Sequence, residues 1–103
     1  MKDDDSIMDE VDVEEYGKAG KRPPNAKVYR VRIDKEKYSV PQQLITGRGL
    51  LELTPLRPIE KYRIHQKLHG GQMVEIGYDE TVDLGQPGIE RFTTIELAVG
   101  DGE

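Results

Sequence analysis

The run Val28-Tyr29-Arg30-Val31-Arg32-Ile33 leaves this chain few options. Tyr29, Val31 and Ile33 fall on one side of an extended backbone and the two arginines on the other. Period-two alternation of β-branched and aromatic residues with charged ones predicts a half-buried strand. A strand with one apolar face needs a second layer to cover it. Asp34-Lys35-Glu36-Lys37 then reads as a polar turn. Tyr38-Ser39-Val40 resumes the alternation and stops at Pro41, which completes a hairpin.

The covering layer comes next. Thr46 is a helix N-cap residue, Leu50, Leu51 and Leu53 supply an apolar face, and Pro55 and Pro58 end the helix. Gly47 and Gly49 near its start make it weak in isolation, so packing must hold it. Tyr62, Ile64 and Leu68 then alternate with Arg63, His65, Lys67 and His69, which predicts a second long strand. Gly70-Gly71 reads as a hairpin turn, because glycine takes the positive φ such turns require. Met73 to Ile76 is a short strand. Residues 77–84 form a polar loop anchored by Val82 and Leu84, Gly85-Gln86-Pro87-Gly88 is another turn cluster, and Ile89 to Leu97 is a last strand. The expected class is α+β, a sheet covered on one face by one helix.

The 103 residues suffice for one domain. Charge divides it further. Residues 1–20 carry eight acids and two lysines, a net of −6, which leaves the remainder of a chain of net charge −5 at +1. An acidic segment poor in apolar residues does not offset its chain entropy. The expected organisation is a disordered acidic leader and linker over 1–25, a folded domain over 26–98 and a flexible tail over 99–103. The acidic leader argues against nucleic acid as a partner, since it repels phosphate. There is no cysteine, hence no thiolate chemistry or disulfide. No apolar run approaches the ~20 residues that span a bilayer, and the acidic N-terminus does not read as a secretory signal. These features point to a cytoplasmic protein with no membrane partner.

Enzymatic chemistry finds no foothold. No Ser/His/Asp set or pocketed carboxylate pair stands out, and Gly47-Arg48-Gly49 lacks the Gly and Lys of a phosphate loop. His65 and His69 on one strand lie about 13 Å apart at ~3.3 Å per residue, too far to share a metal. No cofactor or metal and no catalytic residue is expected. With Arg63 and Lys67 the two histidines form a basic stripe, a candidate surface for an acidic partner.

Strand, strand, helix, strand, short strand, loop, strand in this length is the order of the ubiquitin-like β-grasp, a mixed sheet of four to five strands with one packed helix. The sequence resembles, more narrowly, the bacterial multiubiquitin family of ubiquitin-like proteins. The residues that carry the resemblance are Tyr29-Arg30-Val31-Arg32-Ile33-Asp34, Thr46-Gly47-Arg48 with Leu50-Leu51-Glu52-Leu53, Tyr62-Arg63, Gly70-Gly71, and Ile76-Gly77. Asp79-Glu80-Thr81-Val82-Asp83-Leu84 and Pro87-Gly88-Ile89-Glu90-Arg91-Phe92 are its most specific parts. Together they cover residues 27–94.

The functional implications of the resemblance lie at the C-terminus. Laid without a gap from Thr81 against eukaryotic ubiquitin, Leu97 meets the last core leucine and Gly102 the final glycine, with Glu103 one residue beyond. The chain would then be a protein modifier. A JAB-type metalloprotease would remove Glu103, an activating enzyme would adenylate the carboxylate of Gly102, and a conjugating enzyme would pass it to target proteins through an isopeptide bond. The family's enzyme neighbours suggest antiviral defence. Val99, Gly100 and Asp101 would thread the tail through the enzyme channel, where glycine's missing Cβ helps. Asp101 departs from the usual diglycine. Leu68-His69-Gly70-Gly71 imitates a modifier's end, but a strand the fold needs comes after it. His65 stands where ubiquitin has its recognition isoleucine, so the recognition surface differs. The alternative is a non-covalent interaction or assembly module, since fold does not fix function.

Overall fold

The computed structural model describes residues 7–97. Strand β1 (Met8–Asp12) and the six-residue helix α1 (Val13–Lys18) come first. The hairpin of β2 (Ala26–Ile33) and β3 (Glu36–Val40) is second. Next are β4 (Leu44–Thr46), helix α2 (Gly47–Leu53) and one 3-10 turn at Ile59–Lys61. Strands β5 (Tyr62–Leu68), β6 (Met73–Ile76), β7 (Thr81–Asp83) and β8 (Ile89–Glu96) complete the described residues.

The main sheet runs β1-β2-β8-β5-β6, with β3 also paired to β2. Pairing of β2 with β8 is parallel, and β2–β3, β5–β6 and β5–β8 are antiparallel. This is the expected α+β β-grasp, with six strands in the main sheet rather than four or five and a second short helix, because β1 and α1 join it. Tyr29, Val31 and Ile33 are all buried, as the alternation requires. They meet Leu50 and Leu51 of α2, Ile64 of β5, Ile76 of β6 and Phe92 of β8 in one core. Thr46 caps α2, its hydroxyl accepting the Gly49 N–H at 3.0 Å. Gly70 and Gly71 take φ of 98° and 95° in the β5–β6 turn.

Two segments depart from the sequence reading. Residues 77–84 are not all loop: β7 pairs antiparallel with β4, which buries Val82 through the register Ile45↔Val82. The larger departure is the leader. Its described part is ordered and belongs to the sheet. Strand β1 pairs parallel with β2 through Met8↔Ala26, Glu10↔Val28, Val11↔Tyr29 and Asp12↔Arg30. Val11 and Val13 are 4% and 2% exposed.

The charge count misled because these acids are partnered. Glu10 pairs with Arg30 at 3.4 Å, Asp12 with Lys37, and Glu14 with Arg32 at 2.9 Å. Asp12 also caps α1, accepting the Glu14 N–H at 3.1 Å. A segment whose charges are neutralised and whose few apolar residues reach the core no longer meets the condition for disorder. The folded unit therefore begins well before residue 26.

Candidate functional site

Strand β5 is flanked by β6 on one side and β8 on the other, so its outward residues face a surface shared by three strands. Successive residues of a strand point to opposite faces. Ile64 goes into the core, and Arg63, His65 and Lys67 go outward. The register lays out three rows. Met73, Lys67 and Arg91 form the first, Glu75, His65 and Thr93 the second, and Arg63 beside Ile95 the third.

Each cation of β5 has an acid close by. Arg63 Nε is 3.5 Å from Glu75 Oε2, His65 Nε2 is 3.9 Å from Glu75 Oε1, and Lys67 Nζ is 3.6 Å from Glu90 Oε1. His65 Nδ1 is buried and has no hydrogen-bond partner among the described residues. The face is thus a mixed-charge lattice rather than a bare basic stripe. Met73 and Ile95 flank it, 46% and 47% exposed.

His69 leaves the stripe. Strand β5 ends at Leu68, and its register with β8 shifts between Lys67 and Leu68. The His69 N–H donates to the Gly88 carbonyl at 2.7 Å. Its side chain lines an open cleft of about 540 Å³ with Gly20, Gln72, Gln86 and Gly88. The sequence spacing assumed one continuous strand, and the bulge breaks it.

A tyrosine anchors the other end of the face. Tyr78 donates its hydroxyl hydrogen to the Tyr62 carbonyl at 2.6 Å and accepts from Arg63 Nη1 at 2.5 Å. The Arg63 and Arg48 guanidiniums lie 5.0 and 5.2 Å from its ring centroid, within cation–π range. Sequence reading missed Tyr78, Glu75, Glu90, Met73 and Ile95. Glu75 and Met73 were within reach, since they alternate with Ile76 across from His65 and Lys67. Tyr78 comes after a glycine, outside any strand, and gives no periodic signal.

The exit of the tail is also defined. The Leu97 N–H donates to the Lys61 carbonyl at 2.7 Å, which pins the chain just past β8. Upstream, Asp34 accepts the Thr94 N–H at 2.9 Å and the Thr94 hydroxyl at 2.6 Å. Leu97 is half-buried and stands outside the core cluster, whose last member on β8 is Phe92. The expectation of a core leucine at 97 is corrected on that ground: Leu97 lies one residue past the end of β8. Val99, Gly100, Asp101, Gly102 and Glu103 lie outside the described residues. Among the described residues there is no group of three or more His, Cys, Asp or Glu that could hold a metal ion. No helix among them is long and apolar enough to cross a membrane.

Comparison with known proteins gives one finding of substance. The family model described as Multiubiquitin matches residues 29–96, about two-thirds of the chain. The match starts in β2 and closes with β8, so β1 and α1 fall outside it. No curated protein and no solved structure matches the chain.

Proposed function

Because the chain belongs to the multiubiquitin family, we propose that it is a ubiquitin-like protein modifier whose reactive group is the Gly102 carboxylate, freed when the Gly102–Glu103 bond is hydrolysed. One observation carries this reading. The family match runs from within β2 to the end of β8, and the residues after it hold a glycine at the spacing of a modifier's tail.

The chemistry is acyl transfer. The Gly102 carboxylate attacks ATP at the α-phosphorus, forming an acyl adenylate and releasing pyrophosphate. A cysteine thiolate of the activating enzyme displaces AMP, and the thioester moves to a conjugating enzyme. A target amine then takes the acyl group, loses a proton and frees the thiol. The catalytic groups belong to partners, and this chain supplies the acyl group. Asp101 calls for a cationic pocket in the enzyme channel, because an uncompensated carboxylate in a narrow site is costly. A JAB-type metalloprotease is the processing partner the family suggests, and antiviral defence the setting.

The outward face of β5, with Arg63, His65 and Lys67, serves as the partner surface. Glu75 and Glu90 offset much of its charge and Arg91 adds a further cation, so the preference for an acidic partner is weaker than a bare basic stripe would give. Exposed Met73 and Ile95 also support a second reading, a non-covalent interaction module docking through this face.

Reconstitution separates the two. Incubation with cognate protease, activating enzyme, conjugating enzyme and ATP is expected to give an adduct that a thiol reductant reverses, and deletion of Gly102 to abolish it. Absence of the adduct with the full cognate set overturns the modifier reading.

A further inference from the structure

The pairing of β2 with β8 is short. One register pair joins them, Ile33↔Phe92, extended by the Asp34 N–H to the Phe92 carbonyl at 2.9 Å. On the N-terminal side of that point the two strands part. Strand β1 takes the vacated edge of β2. Helix α1 takes the edge of β8, so closely that a Cβ on Gly17 would stand 1.8 Å from the Ile89 carbonyl oxygen. Residues 8–18 therefore form a wedge in an opened sheet.

The wedge and its seat are chemically separable. Acids lie on one side, Asp9, Glu10, Asp12 and Glu14. Bases lie on the other, Lys27, Arg30, Arg32 and Lys37. Val11 and Val13 plug the core between them. Wedge and seat are joined by residues 19–25, which include Pro23-Pro24, a dipeptide that favours extended chain. The connection's own hydrogen bonds cluster at its two ends, Lys21 N–H to Tyr16 O and Met8 N–H to Asn25 O.

We propose that the opening between β2 and β8 is an acceptor site for an acidic strand–helix unit, and that a second copy of this chain supplies it by reciprocal exchange of residues 8–18. Specificity rests on complementarity. The acids of 9–14 meet the bases of 27–37 in a fixed parallel register, and no other segment of the sequence carries that pattern. Exchange keeps the contacts between wedge and seat and changes the conformation of 19–25 with the hydrogen bonds at its two ends, the condition under which swapping costs little. The balance is then set by concentration against the effective concentration of the tethered wedge, on the order of mM for a short linker.

The test uses the full chain. Unlabelled and 15N-labelled protein are unfolded together, refolded at about 1 mM and examined by native mass spectrometry. The expected result is a dimer with homo- and hetero-forms near 1:2:1 that does not re-equilibrate on dilution without unfolding. Monomer masses alone overturn the proposal. A charge-reversed pair separates exchange from surface contact. One chain carries Asp12→Lys and Glu14→Lys, the other Arg32→Glu and Lys37→Glu. Exchange predicts dimers in the mixture and none in either chain alone. If either variant dimerises alone as readily as the mixture, the contact is not the wedge and the proposal fails. Should a reversed chain not fold, the wild-type labelling result decides.

Discussion

Gly17 has no room for a side chain. A Cβ there would meet the Ile89 carbonyl oxygen at 1.8 Å and the Glu90 nitrogen at 2.9 Å, both backbone atoms. Gly17→Ala is expected to push α1 off β8 and cost about 1–3 kcal/mol, the range for overpacking. Hydrogen exchange checks it: β1 amides should lose protection while β5 amides keep theirs. Asp34 presents the opposite case, a residue whose conformation serves its contacts. It holds φ at 57°, where L-residues are strained, and both its carboxylate oxygens accept from Thr94. Asp34→Ala loses both bonds and keeps the strain, with an expected cost of about 1–2 kcal/mol by chemical denaturation. Asp34→Gly should recover part of that. Neither role was legible in the sequence. Asp34 read as one polar turn residue among four, because its partner lies on the distant β8.

At the scale of elements, the α1 anchor depends on pH in a direction its surroundings fix. Burial pushes the Glu14 carboxyl up, but hydrogen bonds from Arg32 and Lys37 and the charges of Arg32 and Lys18 outweigh it. The net shift is below the ordinary 4.5. A lowered folded value contributes stability that is present above 4.5 and lost as pH falls through the folded value. The Lys37 ammonium is held above the ordinary 10.5, chiefly by its hydrogen bond to Asp12 and despite partial burial. That contribution is present below 10.5 and lost as pH rises through the folded value. Protection of β1 amides should therefore be flat across neutral pH, with losses below 4.5 and above 10.5. Loss of protection between about pH 5 and 9 would contradict this assignment. The hairpin β2–β3, helix α2 and the β5–β6 turn were legible because each carries a local signal: alternation, a cap and two prolines, a glycine pair. Strand β1 was not, because it has one core residue, Val11, and its partners, the β2 backbone and the bases Arg30 and Lys37, lie elsewhere in the sequence.

On the scale of the whole molecule, the β-grasp order could be read because successive elements alternate apolar and polar residues in a length that admits few topologies. The outward face of β5 was legible in outline. The neutralising acids Glu75 and Glu90 and the departure of His69 come from pairing and a bulge, which spacing within one strand does not encode. The fold also fixes the end of β8. Strand β8 is fixed by β5 along its length, by Asp34 at Thr94 and by Lys61 at Leu97, so the chain after it leaves from a defined point. Gly102, the proposed reactive end, stands five positions past Leu97 in the sequence. Mass spectrometry of this chain recovered from its native host tests its role most directly. The modifier reading predicts chains ending at Gly102, together with heavier species in which the Gly102 carbonyl is joined to target amines. Recovery of every molecule with the Gly102–Glu103 bond intact and no target attached would contradict it.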